Sequence, residues 1–242
     1  MDELNLGEFV PILFALEEEL RWEELGASYC EAGGEVFFVP EQREAIRDAG
    51  LLFASDVASA LGELDSVDEP ASLYVGAAVA ELVPALFESV VLGRRVVLHN
   101  LPGDELDELN RALASVGKRF QLELPRLTSE PLEELQGPFQ HVWMTSVLSD
   151  PDHFPALHNK VYERTGARAV LGGDLGIETQ IARHLMRTLV AMLRSPGLFT
   201  TSDEEAPFLT KATKRRGLKA TRPEEARLSA IVGDPIRVWR LF

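Results

Sequence analysis

Four titratable side chains crowd into nine residues of this chain: Asp150, Asp152, His153 and His158, within Ser146-Val-Leu-Ser-Asp-Pro-Asp-His-Phe-Pro-Ala-Leu-His158. An imidazole titrates near neutral pH, and a neighbouring carboxylate can steady it. Asp150 and His153 are therefore candidates for moving a proton, and Asp152 and His158 for hydrogen-bonding a substrate. The same residues have a plainer use, because Asp150 and Asp152 can cap a turn and a helix expected over 152–163. No metal site is expected. The five-residue spacing does not bring His153 and His158 to one helical face, and no cysteine joins them.

Other chemistry is thinly represented. Leu171-Gly-Gly-Asp-Leu-Gly176 has the glycine content of a phosphate loop but not its Lys-Ser/Thr pair, so it reads as a flexible lid or a plain loop with Asp174 near the start of the next helix. There is no Gly-x-Ser-x-Gly elbow. Cys30 is the single cysteine and has no histidine close to it in sequence. It supports neither a thiol nucleophile nor an internal disulfide, and a reducing compartment is expected.

These residues need a scaffold. Leu6, Phe9, Val10, Leu13, Leu16 and Leu20 fall on one face of a helix expected over 5–26. A strand is expected at 35–39, a helix over 40–50 with proline at its start and glycine at its end, and a second helix over 54–62. The polar, proline-ended stretch 63–70 marks a boundary between segments 1–70 and 71–242. Beyond it strands at 72–76, 95–99, 120–124, 141–147, 198–202 and 218–222 alternate with helices at 79–92, 104–116, 131–136, 177–194 and 205–216. Two last runs, 228–232 and 236–241, flank a Gly-Asp-Pro turn. Alternation of this length predicts a parallel sheet with helices on both faces, and the segment after strand four then lies at the ligand-binding ends of the strands.

The tail has a particular order: a long helix, Leu193-Arg-Ser-Pro-Gly-Leu198, a strand, a helix, Arg216-Gly-Leu-Lys-Ala220, then a final strand with no helix before it. Over residues 71–242 this resembles the class I S-adenosylmethionine-dependent methyltransferases. The resemblance implies an α/β, Rossmann-like, mostly parallel seven-stranded sheet with an antiparallel last strand, behind an N-terminal, mainly helical extension. It also implies a cofactor turn after the first strand. Here that stretch is Leu73-Tyr-Val-Gly-Ala-Ala-Val-Ala-Glu81, which matches the family's glycine pattern only at Gly76 and puts Tyr74 where an acid is common. Asn100 stands where the family's second strand ends in an acid. The implied cofactor set is Gly76, Ala77, Ala78, Glu81, Asn100 and Ser146. The implied activity is methyl transfer to a small molecule or protein group. The alternative is a non-catalytic binding or assembly module on the same fold, which the missing glycines favour. A nucleotide-linked oxidoreductase ranks last, since no Gly-x-Gly-x-x-Gly follows an expected strand.

Charge narrows the partners. The chain has 39 acidic and 24 basic side chains, a net −15. Residues 1–70 carry 18 acids against 3 arginines, and residues 71–242 carry 21 of each. Nucleic acid backbones are poor partners for such a balance. Lys211, Lys214, Arg215, Arg216, Lys219 and Arg222 form a basic stretch. It is either a solvated face or a dock for the acidic segment, within the chain or in a homo-oligomer. No apolar run is long enough to span a membrane, and the acidic start is unlike a leader peptide, so a soluble cytoplasmic protein is expected.

Overall fold

The computed structural model describes residues 6–25, 37–162 and 170–242. The chain divides into two compact units, Met1–Glu130 with Ser229–Gly233, and Pro131–Leu228 with Asp234–Phe242. Cys30 and the first half of the strand expected at 35–39 lie outside the described residues. Phe37–Val39 are not strand but lead into a helix.

The first unit contains α1 (Leu6–Glu19), α2 (Trp22–Leu25), α3 (Pro40–Gly62), β1 (Ala71–Val75), α4 (Val79–Leu86), β2 (Arg95–His99), α5 (Asp104–Phe120) and β3 (Leu127–Thr128). Its strands are parallel, in the order β3-β2-β1. The single helix expected over 5–26 breaks at Leu20–Arg21. The backbone there finds partners on α5: Arg21 N donates to Glu108 Oε1 at 2.8 Å, and the Arg111 guanidinium donates to the Glu19 carbonyl. The acids of this region pair with Arg47 of α3 and with Arg111 and Arg119 of α5, at 3.1, 3.6 and 3.0 Å from Glu17, Glu19 and Glu18.

Two glycines expected to end helices lie inside them. Gly50 is buried in the middle of α3, where a Cβ would meet the Val83 Cβ of α4 at 2.5 Å. The glycine serves close helix packing, so the two helices expected over 40–62 are one. Gly117 likewise leaves room for the Leu122 carbonyl, 2.8 Å from where its Cβ would sit. The left-handed residue that ends α5 is Gln121, at φ +56°. The strand expected at 120–124 therefore forms later, as β3. Asn110 holds it by donating to the Leu127 carbonyl at 3.0 Å and accepting from its N–H at 2.8 Å.

After α4 the helix widens into a π-helical turn, Phe87–Val91, and reverses at Gly93, φ +62°. Glu88 in that turn and Arg94 after it are a buried ion pair at 3.0 Å, with side chains only 1% and 6% exposed. The Glu88 carboxylate also accepts from the Ser72 hydroxyl and, at 2.6 Å, from the Tyr74 hydroxyl of β1. Arg94 donates to the Ala71 carbonyl at 3.1 Å.

The second unit contains β4 (Phe139–Met144), α6 (Pro155–Tyr162), α7 (Leu175–Met192), β5 (Leu193–Ser202), α8 (Ala206–Arg216), β6 (Ala220–Thr221), β7 (Arg227–Leu228) and β8 (Pro235–Leu241). The expected 131–136 helix is a single 3-10 turn, Leu132–Glu134. Strand order is β4-β5-β8-β6, with β7 also on β8. β4 and β5 are parallel, and β8 is antiparallel to β5, as expected of a last strand. The short β6 and β7 are antiparallel to β8 as well, which brings the strands to eight among the described residues rather than seven. Phe139, Val142, Trp143, Leu198, Phe199 and Leu209 are all buried in this unit.

Two substitutions test this packing. Gly50→Ala should destabilise the protein by about 1–3 kcal/mol through overpacking against Val83. Gly62→Ala, which would meet nothing within 4 Å, should be neutral or slightly stabilising, both read by urea unfolding. Arg94→Leu should cost about 3–5 kcal/mol by removing the cation that faces the buried Glu88 charge. Adding Glu88→Leu should recover part of that loss, but not the part owed to the Ser72 and Tyr74 hydroxyls.

Candidate functional site

In the first unit, β1 is buried along its whole length and delivers Gly76 at φ +69°, in the left-handed region that glycine tolerates. Two alanines then lead into α4. Ala77 N donates to the His99 carbonyl at 3.0 Å, continuing the β1–β2 ladder past its end. Asn100 ties the turn from the other side, its Nδ2 donating to the Ala77 carbonyl at 3.0 Å while its Oδ1 accepts from Leu101 N at 2.8 Å. Glu81 is buried in the first turn of α4 and accepts from Ala78 N at 3.1 Å. A carboxylate there offsets the positive end of the helix. Gly76, Ala77, Ala78, Glu81 and Asn100 are thus brought together around one turn. His99 Nε2 lies 3.1 Å from the Glu130 carbonyl and must be its donor, which leaves Nδ1 buried as an acceptor without a partner among the described residues. Burial lowers the pKa of this imidazole.

Ser146, the sixth residue of the implied set, lies in the second unit after β4, at φ +59°. A non-glycine residue held there stores strain. Its hydroxyl is 3.5 Å from Asp234 Oδ2, and that oxygen accepts from the Tyr162 hydroxyl at 2.7 Å. Burial pushes the Tyr162 phenol well above the usual range, and Asp234 adds to the rise. His158 points its Nδ1 at the Ser149 carbonyl, 2.8 Å away, and its ring centroid is 4.9 Å from that of Tyr162. Ser146, Ser149, His158, Tyr162 and Asp234 form one polar cluster beyond the end of β4.

Asp150, Asp152 and His153 have a different place. Asp150 Oδ1 accepts from Asp152 N at 2.9 Å, His153 N at 2.8 Å and His153 Nδ1 at 3.0 Å. This is an exposed capping turn, the plainer of the two uses open to these residues. Asp174 likewise caps α7, accepting from Ile177 N at 2.9 Å. Among the described residues no group of three or more His, Cys, Asp or Glu could hold a metal ion.

Sequence reading passed over Tyr162, Asp234 and Glu205. Tyr162 and Asp234 are 72 positions apart, and Asp234 reads as part of a turn. Glu205 precedes α8 and is fully buried, where it accepts from Leu148 N at 2.9 Å and the Thr201 hydroxyl at 3.0 Å. It thereby ties the segment after β4 to the end of β5. Burial raises its pKa to about 7 against these stabilising bonds. The folded state then holds this proton more tightly than the unfolded chain. The group's contribution to stability is complete below pH 4.5 and is lost as pH rises to about 7. Glu205→Gln should remove that dependence. The difference in unfolding free energy between the wild type and the variant should fall by up to about 1.4 kcal/mol per pH unit across this window, measured by denaturant titration.

Neither protein-family models nor curated proteins match the sequence. Solved structures do match the fold. Magnesium protoporphyrin IX methyltransferase from Synechocystis PCC 6803, solved with bound SAM, superposes with a TM-score of 0.50 at 12% identity, over 84% of this chain and 84% of that one. Precorrin-6y C5,15-methyltransferase from Geobacter metallireducens GS-15 superposes with a TM-score of 0.44 at 12% identity, over 76% of this chain and 85% of that one. At such identity a likeness carries the fold alone. The parallel strands, the antiparallel last strand and the first of these superpositions agree: the chain has the fold of the class I, Rossmann-like S-adenosylmethionine-dependent methyltransferases.

Proposed function

We propose that this chain is a methyltransferase-like protein that binds S-adenosylmethionine at the turn after β1 and acts on a small molecule or protein group. The observation that carries the reading is the turn itself. Gly76 at φ +69° and two alanines take the backbone from a buried strand into a helix with no side chain larger than methyl. A flat ligand can approach such a backbone closely. Asn100 Oδ1 accepts one N–H, and a carbonyl oxygen has two lone pairs, so one remains for a ribose hydroxyl. These groups suit the adenosine end of the cofactor. When bound, the cofactor supplies an electrophilic methyl group. The chain's own part is to hold, orient and exclude water, since little proton chemistry is demanded of it.

The second reading, a non-catalytic module, is favoured by one specific observation. Tyr74 stands where an acid is common in the family, and its hydroxyl is committed to Glu88. Asn100 brings no charge, and Ala78 N is already bonded to Glu81. Calorimetric titration separates the two. S-adenosylmethionine or S-adenosylhomocysteine should give saturable heat. Gly76→Val, a β-branched residue forced to positive φ, should weaken it at least tenfold with circular dichroism unchanged. Absence of heat at millimolar ligand overturns the first reading and leaves the module.

A further inference from the structure

We infer that the basic face of α7 and α8 docks on the acidic outer face of α3 in a second copy of this chain. Between Thr179 and Pro223 the only acids are Asp203, Glu204 and Glu205. Glu205 is buried, and Asp203 is engaged by Arg237 at 2.9 Å and Arg222 at 3.2 Å. Arg183 and Arg187 on α7 and Lys211, Lys214 and Arg215 on α8 are exposed, as is Lys219 just beyond. Among the described residues none of these six side chains has a hydrogen-bond or ion-pair partner. Arg216 sets the ends of the two helices side by side, its guanidinium donating to the Val190 carbonyl and, at 3.1 Å, to the Leu193 carbonyl. Unpaired like charges on one surface repel one another at short range, and an anionic partner relieves that repulsion.

The chain itself supplies a face of the opposite sign. α3 exposes Glu41, Glu44, Asp48, Leu52, Ser55 and Ser59, at the three- and four-residue spacing of one helical side. Exposed Glu63, Asp65, Asp68 and Glu69 follow directly. The only cations between Pro40 and Pro70 are Arg43 and Arg47. Arg43 donates to the Phe38 carbonyl at 2.6 Å, and Arg47 lies 3.1 Å from Glu17, with Glu44 and Asp48 farther off at 3.6 Å. The α1 acids are less available, since Glu17, Glu18 and Glu19 each already face an arginine. A phosphate backbone would meet the basic face but leave the acidic stripe of α3 unmatched, whereas a second copy satisfies both. Each face also offers apolar contact: Leu52 is 51% exposed within the α3 stripe, and Ile177 and Ile181 are 58% and 51% exposed on α7. Charge then orients the encounter, and the apolar side chains add contact. Because the two faces differ, the association is heterologous and copies add head to tail. The interface stands independently of the proposed function.

Sedimentation velocity of the full chain tests this. In about 50 mM salt the chain should associate as its concentration rises to about 100 μM, and about 500 mM salt should weaken that association at least tenfold. Lys214→Glu with Arg215→Glu should leave a monomer, and so should Glu41→Lys with Glu44→Lys. The second pair moves the net charge from −15 to −15 + 4 = −11, so general repulsion predicts the opposite. Mixed in equal amounts, the two variants restore both charge pairings and should reassociate. A wild type that stays monomeric at low salt overturns the inference, including one that takes up a labelled single-stranded RNA instead. So does association that neither salt nor either variant weakens, or a mixture of folded variants that stays monomeric. The wild-type salt series decides the matter even where a variant fails to fold.

Discussion

One buried carboxylate governs the first unit. Glu88 takes hydrogen bonds from Ser72 and Tyr74 on alternate positions of β1 and an ion pair from Arg94, which stands immediately before β2. A charge taken out of water is costly unless its lone pairs are satisfied, so these donors cannot be rearranged independently. Arg94 in turn reaches the Ala71 carbonyl at the start of β1. The π-helical turn supplies the extra residue that lets the chain carry Glu88 under the strand before Gly93 reverses it. β1 and β2 are thereby locked in register, Val75 beside His99, and the turn from Gly76 to Ala78 is placed against Asn100. Tyr74 is drawn into the same network, its phenol pushed well up first by burial and then by Glu88. Tyr74 is part of the support under the sheet.

The second unit relies on side chains doing the work of backbone. Glu205 accepts from Leu148 N, Glu178 from Ala156 N and Leu157 N at the start of α6, and Asn159 pairs with both backbone groups of Val170. Each satisfies donors or acceptors that an irregular segment would otherwise leave to water. Capping bonds of this kind are worth about 0.5–2 kcal/mol each. Their combined effect is to hold 145–162 in one path, and that path gathers Ser146, Ser149, His158 and Tyr162 around Asp234. Gly173 belongs to the same arrangement, since a Cβ there would strike the Glu178 carboxylate.

Much of the fold was legible because its signals are local. Period-2 and period-3.6 apolar runs marked β1, β2, β4, β8, α5, α7 and α8 to within a few residues. Asp174 reads as lying near the start of the next helix, and the structure makes it the cap of α7. The errors share a cause. Gly50 and Gly117 look like helix stops, and in sequence a terminating glycine cannot be told from one that admits a neighbour. The break at Leu20–Arg21 is set by Glu108 and Arg111, about ninety positions away.

The residues by themselves determined the alternation of strands and helices, the acidic first 70 residues and the small-residue turn at 76–78. Each depends on neighbours in the chain, on periodicity or on counting charge. Only the tertiary structure decided which polar side chains act together. Asp150 and His153 are three positions apart and spend their hydrogen bonds on a surface turn. Tyr162 and Asp234 are far apart in sequence, yet the Tyr162 hydroxyl donates to Asp234 Oδ2 at 2.7 Å. Buried polar groups must find partners wherever the folded chain brings them, and that requirement leaves no mark on local sequence.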